Sequence, residues 1–511
     1  MAITPKSSLL ELVHSLTTSE KRYLKQFINN SGETQSNHAK LLNAIVKQEY
    51  PDEEKLKKKL KKTSIVRQWS RVKNYLYNYI LRVLQNYYQQ DGEFEILNNL
   101  QQVFILYKKG IYEEAYKLLM KTKYLVFEGS YPVLLPFIAD WEMRMGHIAH
   151  HYAIENELVD FEENNAWAID VASNLLEYNK LRVDMMSNKM QKGRYLRMKE
   201  DNEDVLSKER FCSLEMAKSP MAKWSFLSTK CLLYGQQGAY LKGFYEAKQC
   251  MELHEKYPLL EKQTPFSYIT TINTFLVDAI ETEHWGEIPL VIKKIDVYIK
   301  ENKASSISVL LTSIKYNALL KMSIRRVDYA KGLEHAAAAE IFVSKNKHVT
   351  NMYVQAHLLL HYAAHIYVVD EAYQKALVVI EQLETIQRIP IYRNAMALLK
   401  LICLFEQEET LLLPYTLRSV YRNLLSKKDL YGVERIVLNL LKASVKVASK
   451  KELPSIFQKY LIKLQEYVAV APKEELELLE HFDFVAWVES KIKRRPLVEL
   501  LENRYEQTIA K

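Results

Sequence analysis

Glycine and proline are scarce in this 511-residue chain, at 12 and 13 residues, against usual shares of roughly 7% and 5%. That scarcity argues against sheets closed by tight turns, which draw on both residues for positive or preset φ angles. Cysteine is rarer still. Cys212, Cys231, Cys250 and Cys403 form no CxxC pair and no metal-like spacing, which excludes a disulfide scaffold and fits reduced thiols acting as small buried apolar groups. Long hydrophobic runs are missing as well. The opening MAITPKSSLLELVHSL is interrupted by Glu11 and His14, and the longest uncharged helical stretch, Val354 to Val369, is short of a span and carries three histidines. A cytoplasmic protein with no membrane crossing is the expectation. Motifs of catalysis are also lacking. There is no phosphate loop of the GxxxxGK type, no GxGxxG, no GxSxG and no HExxH, so the backbone cradles and ligand pairs those chemistries need are not announced. A non-catalytic protein without a cofactor is therefore expected, on sites and not on fold.

Tyrosine is plentiful at 34 residues, which suits helix packing where a ring buries its body and leaves its hydroxyl near water. The formal charge of +9 is placed unevenly. Residues 1–90 hold 16 Lys and Arg against 7 Asp and Glu, so 16 − 7 gives the whole excess, while the remaining residues hold 55 of each sign. A basic N-terminal module of residues 1–92 is thus expected to precede a neutral body.

That module opens with two capping boxes, Ser8-x-x-Glu11 and Thr17-x-x-Glu20, in which hydroxyl and carboxylate satisfy the free amides of a starting helix. Helices are expected from about Asn37 to Gln48 and from Pro51. A long one follows, with Val66, Trp69, Val72, Leu76, Tyr79, Val83 and Tyr87 on one stripe and its end at Asp91 and Gly92. Beyond it an aromatic followed by a small residue three places on recurs as Tyr112/Ala115, Tyr240/Gly243, Tyr329/Gly332 and Tyr373/Ala376, with Trp285 between. The steps from Tyr240 through Trp285 and Tyr329 to Tyr373 are 45, 44 and 44 residues, and Leu412 and Leu453 continue at 39 and 41. A repeat architecture is the reading.

Cys231-Leu-Leu-Tyr234 with Gly238-Ala-Tyr240 and Gly243, and again Ala364, Tyr367, Tyr373 and Ala376, resemble the packing positions of tetratricopeptide repeats. The resemblance departs from that family in its longer period and in lacking the first-helix tryptophan and Leu-Gly pair. It implies an all-α fold: a TPR-like right-handed α-solenoid of helix pairs over residues 93–480, with 481–511 as a C-terminal capping helix. It also implies a concave groove lined from the first helices, which puts Asn273, Asn317, Lys321, Arg325, His361 and His365 toward a peptide or protein ligand. Against this stands the plainer reading that these are solvated positions on polar helix faces.

Two other patterns carry alternatives. His357, His361 and His365 are four apart on one helix face, as are His147, His151 and Glu155, with His150 beside them; that spacing suits metal sharing, but one helix comfortably supplies only a pair of ligands, so no metal site is expected. The run EEKLKKKLKK and the following RQWSRVKNYLYNYILR put Lys57, Lys58, Lys61, Lys62, Arg67 and Arg71 where phosphates could be contacted. The competing reading is the wet side of an amphipathic helix, with Trp69 and Tyr79 as packing residues. A scaffold that binds a protein or peptide is the leading expectation, and a ligand-sensing regulator whose basic module binds nucleic acid or an effector protein is the alternative.

Overall fold

The computed structural model describes residues 8–509, apart from 31, 33, 35, 49–51, 62, 90–91, 153–160, 193–212, 302–305, 347–351, 386–392, 427–429, 431, 448 and 473–475. Among the described residues the chain forms 26 α-helices, three short 3-10 turns and no strand.

Six helices make the N-terminal module: α1 (Ser8–Ser15), α2 (Thr18–Asn30), α3 (Asn37–Val46), α4 (Glu53–Lys59), α5 (Ser64–Arg67) and α6 (Trp69–Tyr87). Helix α6 packs on α1, α2 and α3, and the leucines, isoleucines and valines from Leu9 to Val83 close into a core of their own. The second capping box forms, with Glu20 Oε2 accepting from the Thr17 amide at 2.5 Å and Thr17 Oγ1 from the Glu20 amide at 3.2 Å. The first does not. Ser8 is already inside its helix, and its hydroxyl is buried without a hydrogen-bond partner. The long stripe from Val66 is broken at Gln68, and Gly92 starts the next helix instead of ending α6. Pro51 lies outside the described residues.

The body continues as α7 (Gly92–Lys108), α8 (Tyr112–Glu128), α9 (Leu135–Tyr152), α10 (Phe161–Lys192), α11 (Pro220–Gln236), α12 (Tyr240–Lys256), α13 (Pro258–Gln263), α14 (Pro265–Glu281), α15 (Ile288–Glu301) and α16 (Ser306–Arg325). Then come α17 (Tyr329–Asn346), α18 (Met352–Val369), α19 (Tyr373–Thr385), α20 (Arg393–Glu406), α21 (Leu412–Ser426), α22 (Gly432–Val445), α23 (Leu453–Val470), α24 (Glu477–His481), α25 (Phe484–Lys493) and α26 (Leu497–Ile509). Neighbours in sequence pack together, and so do alternate helices, α12 on α14, α14 on α16, α16 on α18 and α20 on α22. That pattern is compatible with a helical solenoid, in which neighbouring helices cover apolar sides they cannot bury alone.

One turn repeats along the body. Tyr112, Tyr240, Tyr329, Tyr373, Leu412 and Leu453 are each the first residue of a helix. A residue in the left-handed region sits two places before the aromatic in five copies: Gly110, Gly238, Glu283, Val327 and Glu371. Glu408 and Arg494 take the same conformation, four residues before the start of α21 and three before that of α26. In each case the next amide bonds back five residues, Ile111 to Leu106, Ala239 to Tyr234, His284 to Ala279, Asp328 to Ser323, Ala372 to Tyr367, Glu409 to Leu404 and Arg495 to Ser490. This is the Schellman closure, which satisfies the last carbonyls of one helix and sets the direction of the next.

Helix α13 leaves the local order and reaches back to α7 and α8. Its Gln263 donates to the Leu125 carbonyl at 2.9 Å and accepts from the Ser130 amide at 2.7 Å. Gly129 is needed there, because a Cβ would stand 1.9 Å from Gln263 Oε1.

The segment expected as a terminal cap does more than close an end. Phe482, Phe484, Trp487, Val488 and Leu497 join the same core as Leu320, Tyr329, Leu360, Ile366 and Phe457. Helix α25 packs on α23 and α24 on α20, while Trp487 Nε1 and Lys491 Nζ both reach Glu406, each at 2.8 Å.

Candidate functional site

Helices α14, α16 and α18 carry Asn273, Asn317 and His361, each 44 residues from the next in the sequence. The structure separates them. His361 is fully buried, with its ring 5.3 Å from that of His481. His365 is also buried and donates from Nδ1 to the His481 carbonyl at 2.7 Å. Burial holds His365 and His481 down at about 4, and it holds His361 far below the ordinary histidine value, with the neighbouring imidazoles adding to the effect. The three-histidine face is therefore a neutral interior surface and not the half-polar face its spacing permits.

Asn317 is half-buried and donates to Gln355 Oε1 at 2.7 Å, which leaves its own Oδ1 buried without a partner. Asn273 is half-buried on α14. Lys321 and Arg325 both pair with Glu281, Lys321 at 2.5 Å. Together with His365 they line a cavity of about 410 Å³, closed by Tyr240, Tyr329 and, from the C-terminal segment, His481 to Asp483. Three of the six residues expected on the groove, Lys321, Arg325 and His365, thus share one site. His361, Asn273 and Asn317 do not line it.

One turn of α14 before Glu281 stands Asp278. It is buried against Gly243, where a Cβ would fall 2.6 Å from Asp278 Oδ2, and that oxygen has no hydrogen-bond partner. Desolvation pushes the carboxyl up to about 7, and the Lys321 charge draws it partly back. This acid was not singled out in the sequence. The only hint was Gly243 three places after Tyr240, which marks a close helix approach without saying what approaches.

The basic module presents a second, more open site. A groove of about 950 Å³ runs along α6 and the start of α3. Tyr75, 49% exposed, stacks on Tyr79 with centroids 6.1 Å apart and planes 25° apart, and the His38 ring meets both at 4.9 and 5.2 Å. Arg71 and Arg82 flank this stack, amides from Asn37, Gln68, Asn74, Asn78 and Gln85 line the walls, and none of the twelve lining residues is a carboxylate. Of the basic residues expected to meet phosphate, only Arg71 is in the groove. Lys57 is paired with Glu53 and Glu54 at 3.2 and 3.0 Å. Lys58, Lys61 and Arg67 are exposed elsewhere on the module, and Lys62 lies outside the described residues. Trp69 is a packing residue as read, donating to Glu53 at 2.7 Å. Arg82 and the Tyr75–Tyr79 pair were hidden by the apolar stripe running through the same helix.

Among the described residues no group of three or more His, Cys, Asp or Glu is arranged to hold a metal ion, and no helix is long and apolar enough to cross a membrane. Glu155 lies outside the described residues, as do the side chains of His147, His150 and His151. No family model, curated protein or solved structure matches this chain.

Proposed function

We propose that this protein is a non-catalytic scaffold that binds a polypeptide segment on the concave face of a TPR-like, right-handed solenoid of helix pairs. The observation that carries the reading is the contact between His365 and the His481 carbonyl. A side chain of the repeat face holds the main chain of another segment, with the Phe482 side chain buried beside it and its backbone extended at φ −165° and ψ 135°. That is how a groove recognises a peptide: a polar group fixes the backbone and a pocket takes the alternate side chain.

The chain's own C-terminal segment takes up part of that face, and the 410 Å³ cavity continues it. Lys321 and Arg325 share one carboxylate there, Glu281, while Glu480 and Asp483 also line the cavity and Asp483 is held by Arg504 at 2.8 Å. An acidic residue or a terminal carboxylate is the ligand group that could share the Lys321 and Arg325 donors with Glu281. A reducing, cytoplasmic setting fits the buried, unbridged Cys231, Cys250 and Cys403. The alternative, a ligand-sensing regulator acting through its basic module, draws its support from the groove on α6.

The test is selection of peptides from a random display library on the immobilised full chain, followed by solution anisotropy of the enriched sequences. Enriched peptides should be acidic or depend on a free carboxyl end, and Lys321→Glu with Arg325→Glu should weaken them at least about ten-fold, the scale of one charge-assisted contact. Equal binding by the charge-reversed chain, or no enrichment, removes the reading.

A further inference from the structure

We propose that the groove along α6 is a binding site for single-stranded nucleic acid, with Tyr75 as the stacking platform and Arg71 and Arg82 as the phosphate contacts. The site belongs to the N-terminal module and does not depend on the peptide groove of the array.

The stack itself is the first reason. An exposed tyrosine costs contact with water, and Tyr75 is 49% exposed while its ring stacks on Tyr79, with the His38 ring tilted against both at 51° and 42°. An exposed aromatic face buttressed from behind by another ring is a platform on which unpaired bases stack without regard to sequence. The buried side of the same helix needs no help from Tyr75, because Val72, Leu76, Ile80 and Val83 already fill the module's core.

Charge is the second. Groove walls holding two arginines, one histidine and no carboxylate are complementary to a polyanion. The module around them carries the entire +9 excess of the chain, with Lys58, Lys61 and Arg67 exposed to add to its field. An acidic peptide would use the charge but not the open ring stack. A duplex would use the charge and hide its bases.

Polar readout is the third. The amides of Asn74 and Gln85 stand on the same helix as the stack, and amides offer both donors and acceptors to base edges. From Gln68 to Gln85 the helix runs about 26 Å at 1.5 Å per residue, room for a few nucleotides.

The experiment is fluorescence anisotropy of the full chain with a labelled oligouridylate and an oligothymidylate of about twelve nucleotides, within the usual site size of single-strand binders. Saturable binding to either is expected. Tyr75→Ala should weaken it about five-fold to a hundred-fold, Tyr75→Trp should keep it within about two-fold, and Arg71→Glu with Arg82→Glu should abolish it. The dependence of affinity on salt should flatten by about 0.7 in logarithmic slope for each arginine changed singly to glutamine. Three results would overturn the proposal: no saturable binding of either strand, unchanged binding by Tyr75→Ala, or equal or tighter binding of a duplex of the same length. Tighter binding of a poly-glutamate peptide would assign the groove to acidic protein segments instead.

Discussion

His365 and His481 are 116 residues apart in sequence and joined by a 2.7 Å hydrogen bond from the imidazole Nδ1 of the first to the carbonyl of the second. The bond fixes the tautomer of His365, because a carbonyl can only accept. It also ties the C-terminal segment to α18. His365→Ala removes the donor and leaves a carbonyl in a buried setting, so stability should fall by about 1–3 kcal/mol. Amide hydrogen exchange over residues 477–493 should speed up more than exchange in α11 and α12. Equal change in both regions, or none, would show that the bond does not anchor the segment.

The buried imidazoles make the fold sensitive to acid. Burial holds His254, His365 and His481 at about 4 and lowers His357 and His361. Above about pH 6.5 folded and unfolded chains both hold these groups neutral, so no difference arises. Below it the unfolded chain takes up protons that the folded chain refuses, until about pH 4 for His254, His365 and His481. Stability should therefore drop as pH falls through that window, by up to roughly 1.4 kcal/mol per pH unit for each histidine. Denaturation midpoints at about pH 7.5, 6 and 5 measure this; a flat profile would contradict it.

Asp278 acts in the opposite sense. Its carboxyl is raised to about 7 when folded, so the folded chain holds a proton that the unfolded chain releases near 4, and stability is lost as pH rises through this range. Asp278→Asn keeps the shape and removes the charge. The variant should gain on the order of a few kcal/mol above pH 7 and little near pH 4. A loss of stability at pH 8 would mean the carboxylate is satisfied there.

Glu283 and Glu371 hold the left-handed turn position that Gly110 and Gly238 hold in their copies, at φ 61° and 60°. Both are exposed. A side chain in that region costs about 1–2 kcal/mol, and glycine gives back part of this through greater freedom of the unfolded chain. Glu283→Gly and Glu371→Gly should each stabilise by about 0.5–1 kcal/mol in thermal or denaturant melts. Val327→Gly should gain less, because Val327 also packs against the core.

Legibility followed the physics of each feature. The aromatic anchors were visible because an aromatic with a small residue three places on recurs along the chain; Tyr112, Tyr240, Tyr329 and Tyr373 each open a helix, whereas Trp285 falls three residues before α15. The turns between were half visible: glycine marks two copies, while Glu283, Val327, Glu371 and Glu408 take the same φ under the force of the Schellman hydrogen bonds. Spacing put Lys321 and His365 at equivalent positions 44 residues apart, with Arg325 one turn beyond Lys321, and the three do share a cavity. It could not say that His361, one turn before His365, packs against the His481 ring, since nothing near residue 361 reports on residue 481. The groove on α6 was masked for a related reason. Tyr79 was assigned to packing by its position on the stripe, and its exposed partner Tyr75 shows only when α3 brings His38 alongside.

By itself the sequence determined that this chain would be helical, with a basic front and a neutral, periodic body, because turn residues, charge and hydrophobic spacing act over a few residues at a time. Tertiary structure alone decided which polar positions stay open to a ligand. Whether a histidine or an arginine meets solvent depends on where distant helices come to rest, and here the last thirty or so residues, packing back on the array, bury one histidine face and leave a smaller cavity beside it.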